Sequence, residues 1–168
     1  MTTLDLKQIQ ISSAIDLFSK GEINQALDAV QGLLKDYPNE PVLFNIKGAC
    51  YADLGQLDVA VTNYKEAITI KPDYAKAHFN LAGSLHDLGQ LETAVKSYQK
   101  AIEIDASYTE AYNNLGNVYQ ELKQVDSAVQ SYQKALEIKP DYVAAQYSLG
   151  NTFMELGQLE EAVKSYKA

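Results

Sequence analysis

Apolar residues fall three and four positions apart along most of this chain. One stretch places them at Ala111, Leu115, Val118, Tyr119 and Leu122, and the next at Val125, Ala128, Val129, Tyr132 and Leu136. Each set makes one stripe on an α-helix, so the pattern predicts two helices joined by a short turn. The same pair recurs. LGQLDVAV begins at Leu54, LGQLETAV at Leu88, LKQVDSAV at Leu122 and LGQLEEAV at Leu156, each 34 residues after the last. YKEAITIKPDY, YQKAIEIDASY and YQKALEIKPDY keep the same step from Tyr64, Tyr98 and Tyr132, and a weaker copy carries Gly21, Ala26 and Pro38 in the matching slots. Counting position 1 from Lys7, Pro41, Ala75, Thr109 and Val143 aligns five repeats: 7–40 (degenerate), 41–74, 75–108, 109–142 and 143–168, the last cut short at Ala168. The expected architecture is all-α, with residues 1–168 forming one repeat domain. A single helix pair cannot bury its apolar face alone, so neighbours must stack into a solenoid.

The punctuation of each repeat agrees. Gly21, Gly55, Gly89 and Gly157 hold position 15, where a left-handed residue would close the first helix. Lys123 takes that slot in the fourth repeat, at a cost of ~1 kcal/mol if the backbone is left-handed there. Pro38, Pro72 and Pro140 stop the second helix. Ala106 replaces proline in the third repeat, where Ser107 and Glu110 have the spacing of a capping box. Alanine at position 20 (Ala26, Ala60, Ala94, Ala128, Ala162) and tyrosine at position 24 (Tyr64, Tyr98, Tyr132, Tyr166) alternate small with large. That alternation lets helices approach closely and assigns most of the 12 tyrosines to packing.

Composition then removes several functions. At 46 % hydrophobic and 21 % charged residues the chain is neither disordered nor membrane-spanning. A net charge of −8, with 14 basic residues that are all lysine, argues against nucleic acid. Asp5 and Lys7 interrupt the start where a secretory signal would be apolar. The lone Cys50 cannot form an internal disulfide, and the expected compartment is the cytoplasm. His78 and His86 lie about 12 Å apart along a helix, too far to share a metal. No residues form a catalytic constellation, no cofactor or metal is expected, and this segment is read as not an enzyme.

Tyr112, Leu115, Gly116, Tyr119, Ala128, Tyr132, Ala135 and Pro140 together resemble the signature of the tetratricopeptide repeat family. The likeness runs from Lys7 to Ala168. It implies a right-handed superhelix of antiparallel helix pairs, whose first helices line a concave groove that binds peptides or partner proteins. On that geometry positions 2, 5, 6, 9, 12 and 13 of each repeat face the groove. The candidate binding residues are Asn45, Lys76, Phe79, Asn80, Asp87, Asn113, Asn114, Asn117, Glu121, Tyr147 and Asn151. Side-chain amides both donate and accept, so they can pair with a peptide backbone of any sequence. Asn80 and Asn114 at position 6 resemble the asparagine ladder of the O-GlcNAc transferase superhelix, although Ile46 and Ser148 interrupt it.

The groove positions carry Asp53, Asp87, Glu110, Glu121 and Glu155 against Lys76, which predicts a preference for neutral or basic segments. Tetratricopeptide domains that clamp acidic chaperone tails need Lys, Asn, Asn, Lys and a basic residue over three successive repeats. The matching slots here are Ile11, Ile15, Ile46, Lys76 and Asn80, or Asn45, Ala49, Asn80, Glu110 and Asn114, and neither set offers more than one cation. Two further expectations follow from the short fifth repeat. The chain would serve as the recognition arm of a longer enzyme, such as a glycosyltransferase or other transferase, or it would self-associate through an apolar end formed by Leu159, Ala162, Val163 and Tyr166.

Overall fold

The computed structural model describes residues 3–167, with side chains from Leu6 to Tyr166. The side chains of Asp5 and Lys167, and the repeat boundary at Ala168, lie outside the described residues. Every described element is an α-helix. The chain divides into two compact units, residues 1–88 and 89–168.

The first unit holds α1 (Thr3–Ser19), α2 (Ile23–Asp36), α3 (Pro41–Asp53), α4 (Leu57–Ile70) and α5 (Ala75–Asp87). Consecutive helices pack side by side, and α3 also touches α1 and α5. The turns are too short for anything but antiparallel neighbours, so α1, α3 and α5 run the same way. Ala14, Ala26, Leu27, Val30, Leu33, Leu43, Ile46 and Cys50 form a common buried core. The degenerate first repeat is closed on itself by Lys7 of α1, which pairs with Glu40 and lies 5.4 Å from the centre of the Tyr37 ring.

The second unit holds α6 (Leu91–Ile104), α7 (Thr109–Glu121), α8 (Val125–Ile138), α9 (Val143–Glu155) and α10 (Leu159–Lys167). Its core is built on Ala128, Tyr132 and Leu149, with Tyr119, Val129, Leu136 and Phe153 packed around them. Small residues set the helix spacing. Gly116 on α7 lies under the Tyr132 ring of α8, so closely that a Cβ there would stand 2.5 Å from a ring carbon. Gly48 and Tyr64 repeat the arrangement between α3 and α4, where a Cβ would stand 2.6 Å from the ring.

The position-15 glycines adopt left-handed backbone, with φ between 71° and 78°. Around Gly55 the Gly55 N–H donates to the Ala52 carbonyl at 2.9 Å and the Gln56 N–H to the Tyr51 carbonyl at 2.8 Å. That pair of bonds is the Schellman closure of a helix end. Lys123 makes the same two-bond turn at φ 62°, the only non-glycine residue of positive φ among those described. Its Cβ crowds the following carbonyl. Lys123→Gly is expected to raise stability by about 0.5–1 kcal/mol, strain relief less the extra freedom of an unfolded glycine. A higher midpoint in thermal denaturation checks it.

The capping box expected at Ser107 and Glu110 does not form. The helix begins at Thr109 with Tyr108 as its cap, so Ser107 sits one residue too early to reach the first free N–H groups. Its hydroxyl and its amide instead both donate to Asp105 Oδ1, at 2.7 and 3.0 Å, and hold that carboxyl below its ordinary pKa.

Candidate functional site

In the first unit, packing of α3 against α4 and α5 buries one face of α3 and leaves its opposite face to line a concavity of about 500 Å³. All six groove positions of the second repeat line it: Val42, Asn45, Ile46, Ala49, Ala52 and Asp53. Lys76 and Asn80 join from α5, and Ile15, Phe18 and Ser19 from α1. The last three hold positions 9, 12 and 13 of the degenerate repeat, groove positions that were not singled out as candidates because that repeat carries little of the signature. Tyr64 and Tyr74 complete the wall. Asn45 is buried, and its Oδ1 accepts from Asn80 Nδ2 at 3.0 Å, so the two amides act as a pair across α3 and α5. Lys76 stands 5.6 Å from the centre of the Phe79 ring. Phe79 is half-buried and Asp87 exposed, and neither lines the concavity.

The second unit presents a different surface on α7 and α9. Asn113 is only 5 % exposed, and its Nδ2 donates to Asn114 Oδ1 at 3.2 Å while its own Oδ1 is buried without a protein partner. Asn117 and Asn151 are half-buried and already engaged. The Tyr132 hydroxyl lies 2.9 Å from Asn117 Oδ1 and 3.1 Å from Gln120 Oε1, and the Tyr166 hydroxyl donates to Asn151 Oδ1 at 2.6 Å. One hydroxyl proton serves one acceptor at a time. Sequence reasoning assigned these asparagines to a ligand and missed their tie to the position-24 tyrosines. Each stands 15 residues before such a tyrosine. Gln120 Nε2 donates to Glu155 Oε2 at 3.3 Å, which joins α7 to α9. Glu121 is exposed, and Tyr147, 62 % exposed, faces the Tyr166 ring at 6.1 Å.

The apolar end of α10 needs a correction. Leu159, Val163 and Tyr166 are exposed, but Ala162 is completely buried. As the position-20 alanine it faces inward, where a larger side chain would force the helices apart, and it has no place in an outward-facing patch.

The remaining chemistry is structural. His78 does not reach a metal partner; its Nε2 lies 3.0 Å from the Pro72 carbonyl, as Gln146 Nε2 lies 2.8 Å from the Pro140 carbonyl in the fifth repeat. Cys50 is fully buried, and burial, with the nearby Asp53 adding to it, pushes its thiol up to about 11. A thiol so placed is a poor nucleophile near neutral pH. Among the described residues no three of His, Cys, Asp and Glu gather to hold a metal, and no helix is long and apolar enough to cross a membrane.

Repeated helix pairs with a concave face lined by their first helices define a class of protein-interaction module. The chain belongs to the tetratricopeptide repeat family: models described as TPR repeat or Tetratricopeptide repeat match residues 48–86, 83–123, 109–142 and 131–164. It is similar to the peroxisomal targeting signal receptor of Saccharomyces cerevisiae, 27 % identical over 84 residues that make 50 % of this chain and 14 % of that protein. The chain thus matches about a seventh of that relative's length. A crystal structure of MamA superposes with TM-score 0.82 at 28 % identity, covering 92 % of this chain and 90 % of that one. The Pseudomonas aeruginosa protein pilF superposes with TM-score 0.91 over 97 % of this chain and 74 % of its own, and at 17 % identity it speaks to the fold alone.

Proposed function

We propose that this chain is a non-catalytic cytoplasmic module that holds an extended peptide or protein segment in the concave face of its first unit. The observation carrying this reading is that every groove position of the second repeat lines one concavity, together with groove positions of the repeats on either side. The Asn45–Asn80 pair supplies the backbone-directed amide, because donation from Asn80 Nδ2 leaves Asn80 Oδ1 to accept a peptide N–H. The acidic groove positions favour neutral or basic segments. In the second unit Asn114, Glu121 and Tyr147 offer a more polar face for the same kind of partner, while Asn113 is buried and Asn117 and Asn151 are held by tyrosine hydroxyls.

The test is a ¹⁵N-labelled sample titrated with a pool of acetylated hexapeptides. Shifts are expected at α1, α3 and α5 residues of the concavity, and shifts confined to the opposite face would overturn the assignment. Asn80→Ala is expected to weaken segment binding by ~1–2 kcal/mol. It also destabilises the fold, since it strips the buried Asn45 of its partner at a cost of about 1–3 kcal/mol. Calorimetric titration below the unfolding temperature separates the two effects.

A further inference from the structure

The second repeat differs from the fourth at two positions that face the concavity. In the fourth repeat, positions 9 and 12 are Asn117 and Gln120, and both amides point at the Tyr132 hydroxyl. In the second repeat the same positions are Ala49 and Ala52, and the Tyr64 hydroxyl is engaged instead with Ser84. Removing two amide side chains leaves space at the centre of α3 and makes its floor apolar. Phe18 and Ile46 wall that space, and the Asn45–Asn80 pair lies beside it. The lining residues of α3 run from Val42 to Asp53, about 16 Å at 1.5 Å per residue. About five residues of extended chain, at ~3.3 Å each, match that length. The volume of about 500 Å³ is in the range of ligand sites. Because α3 and α5 run in parallel, Asp53 at the end of α3 and Lys76 near the start of α5 stand at opposite ends. The site is therefore apolar in the middle and oppositely charged at its ends.

We infer that this site selects a peptide segment of about five residues with an aliphatic or methionine side chain at its centre and a basic residue on the Asp53 side. The inference rests on the concave face being segment-binding. The central side chain fills the space over Ala49 and Ala52, Asn80 accepts from the backbone, and Asp53 meets the cation.

The experiment uses a positional-scanning library of acetylated, amidated pentapeptides read by fluorescence polarisation. The wild-type chain is expected to prefer Leu, Ile or Met at the central position and Lys or Arg on one flank. Ala49→Asn with Ala52→Gln introduces the amides of the fourth repeat, which fold there against Tyr132, the counterpart of Tyr64. This variant should lose the central preference, with at least a tenfold drop in affinity for the best wild-type peptide. Asp53→Asn, an exposed change, should lose only the basic preference. A central apolar preference that survives in the amide variant, or a wild-type chain that binds pentapeptides with no apolar preference, would overturn this inference while leaving segment binding in place. A chain that binds no member of the library overturns both.

Discussion

Tyr132→Ala is expected to remove ~3–5 kcal/mol of stability, enough to unfold a marginal domain of this size. The ring has no solvent exposure and lies at the centre of the core cluster of the second unit, between Gly116 of α7 and Leu149 of α9. Glycine offers no side chain to collapse into the gap, so the cavity would stay largely open. Urea denaturation followed by helical circular dichroism reads the loss. Tyr132→Phe separates ring from hydroxyl. It keeps the packing but leaves Asn117 and Gln120 without their donor, and is expected to cost about 1 kcal/mol. The phenol adds an alkaline signature. Burial pushes its pKa up to about 12, with Glu155 and Glu121 adding to the rise and a hydrogen bond with Ser148 opposing it. An unfolded tyrosine ionises near pH 10. From there to about 12 the unfolded chain gives up a proton that the folded chain keeps, so stability falls as pH rises. The fall should be shallower in Tyr132→Phe. An equally steep decline in both chains would show that Tyr132 contributes nothing to it.

The helix pairs, their turns and the left-handed closures were legible in the sequence because each depends on local patterning: apolar period, glycine after the helix, proline after its partner. Lys123 shows how firmly the turn is set by its neighbours, since it adopts the glycine conformation at φ 62°. The capping box at Ser107 was misread by one residue, and a cap tolerates no such offset. The groove was legible in part. The resemblance to the repeat family implied groove positions for Asn45, Asn80 and Lys76, and all three line the concavity. It could not show that Asn117 and Asn151 are held by tyrosine hydroxyls, because that contact joins two helices and depends on how deeply the rings sit. Ile15 and Phe18 hold groove positions of the first repeat and line the wall, but that repeat lacks most of the signature, so they were not among the candidate binding residues. Ala162 was placed outward because the fifth repeat is short, whereas its inward position follows from the alanine rule read in the other four.

Glycines packed under buried tyrosine rings give the second large effect. Gly116→Val is expected to cost about 1–3 kcal/mol, because the new Cβ meets ring carbons of Tyr132 at 2.5 and 2.7 Å and the ring, fully buried, has nowhere to turn. Gly48→Val should behave alike, since Tyr64 is buried as well. Gly150 supplies the internal comparison. A Cβ there also meets a position-24 ring, that of Tyr166, but this ring is 45 % exposed and can swing outward, giving up only its hydroxyl's bond to the half-buried Asn151. Valine is also the better helix former by a few tenths of a kcal/mol. Gly150→Val should therefore come out near neutral. Thermal melts of the three variants test whether ring burial, rather than close approach alone, sets the cost: equal losses at all three positions would show that it does not.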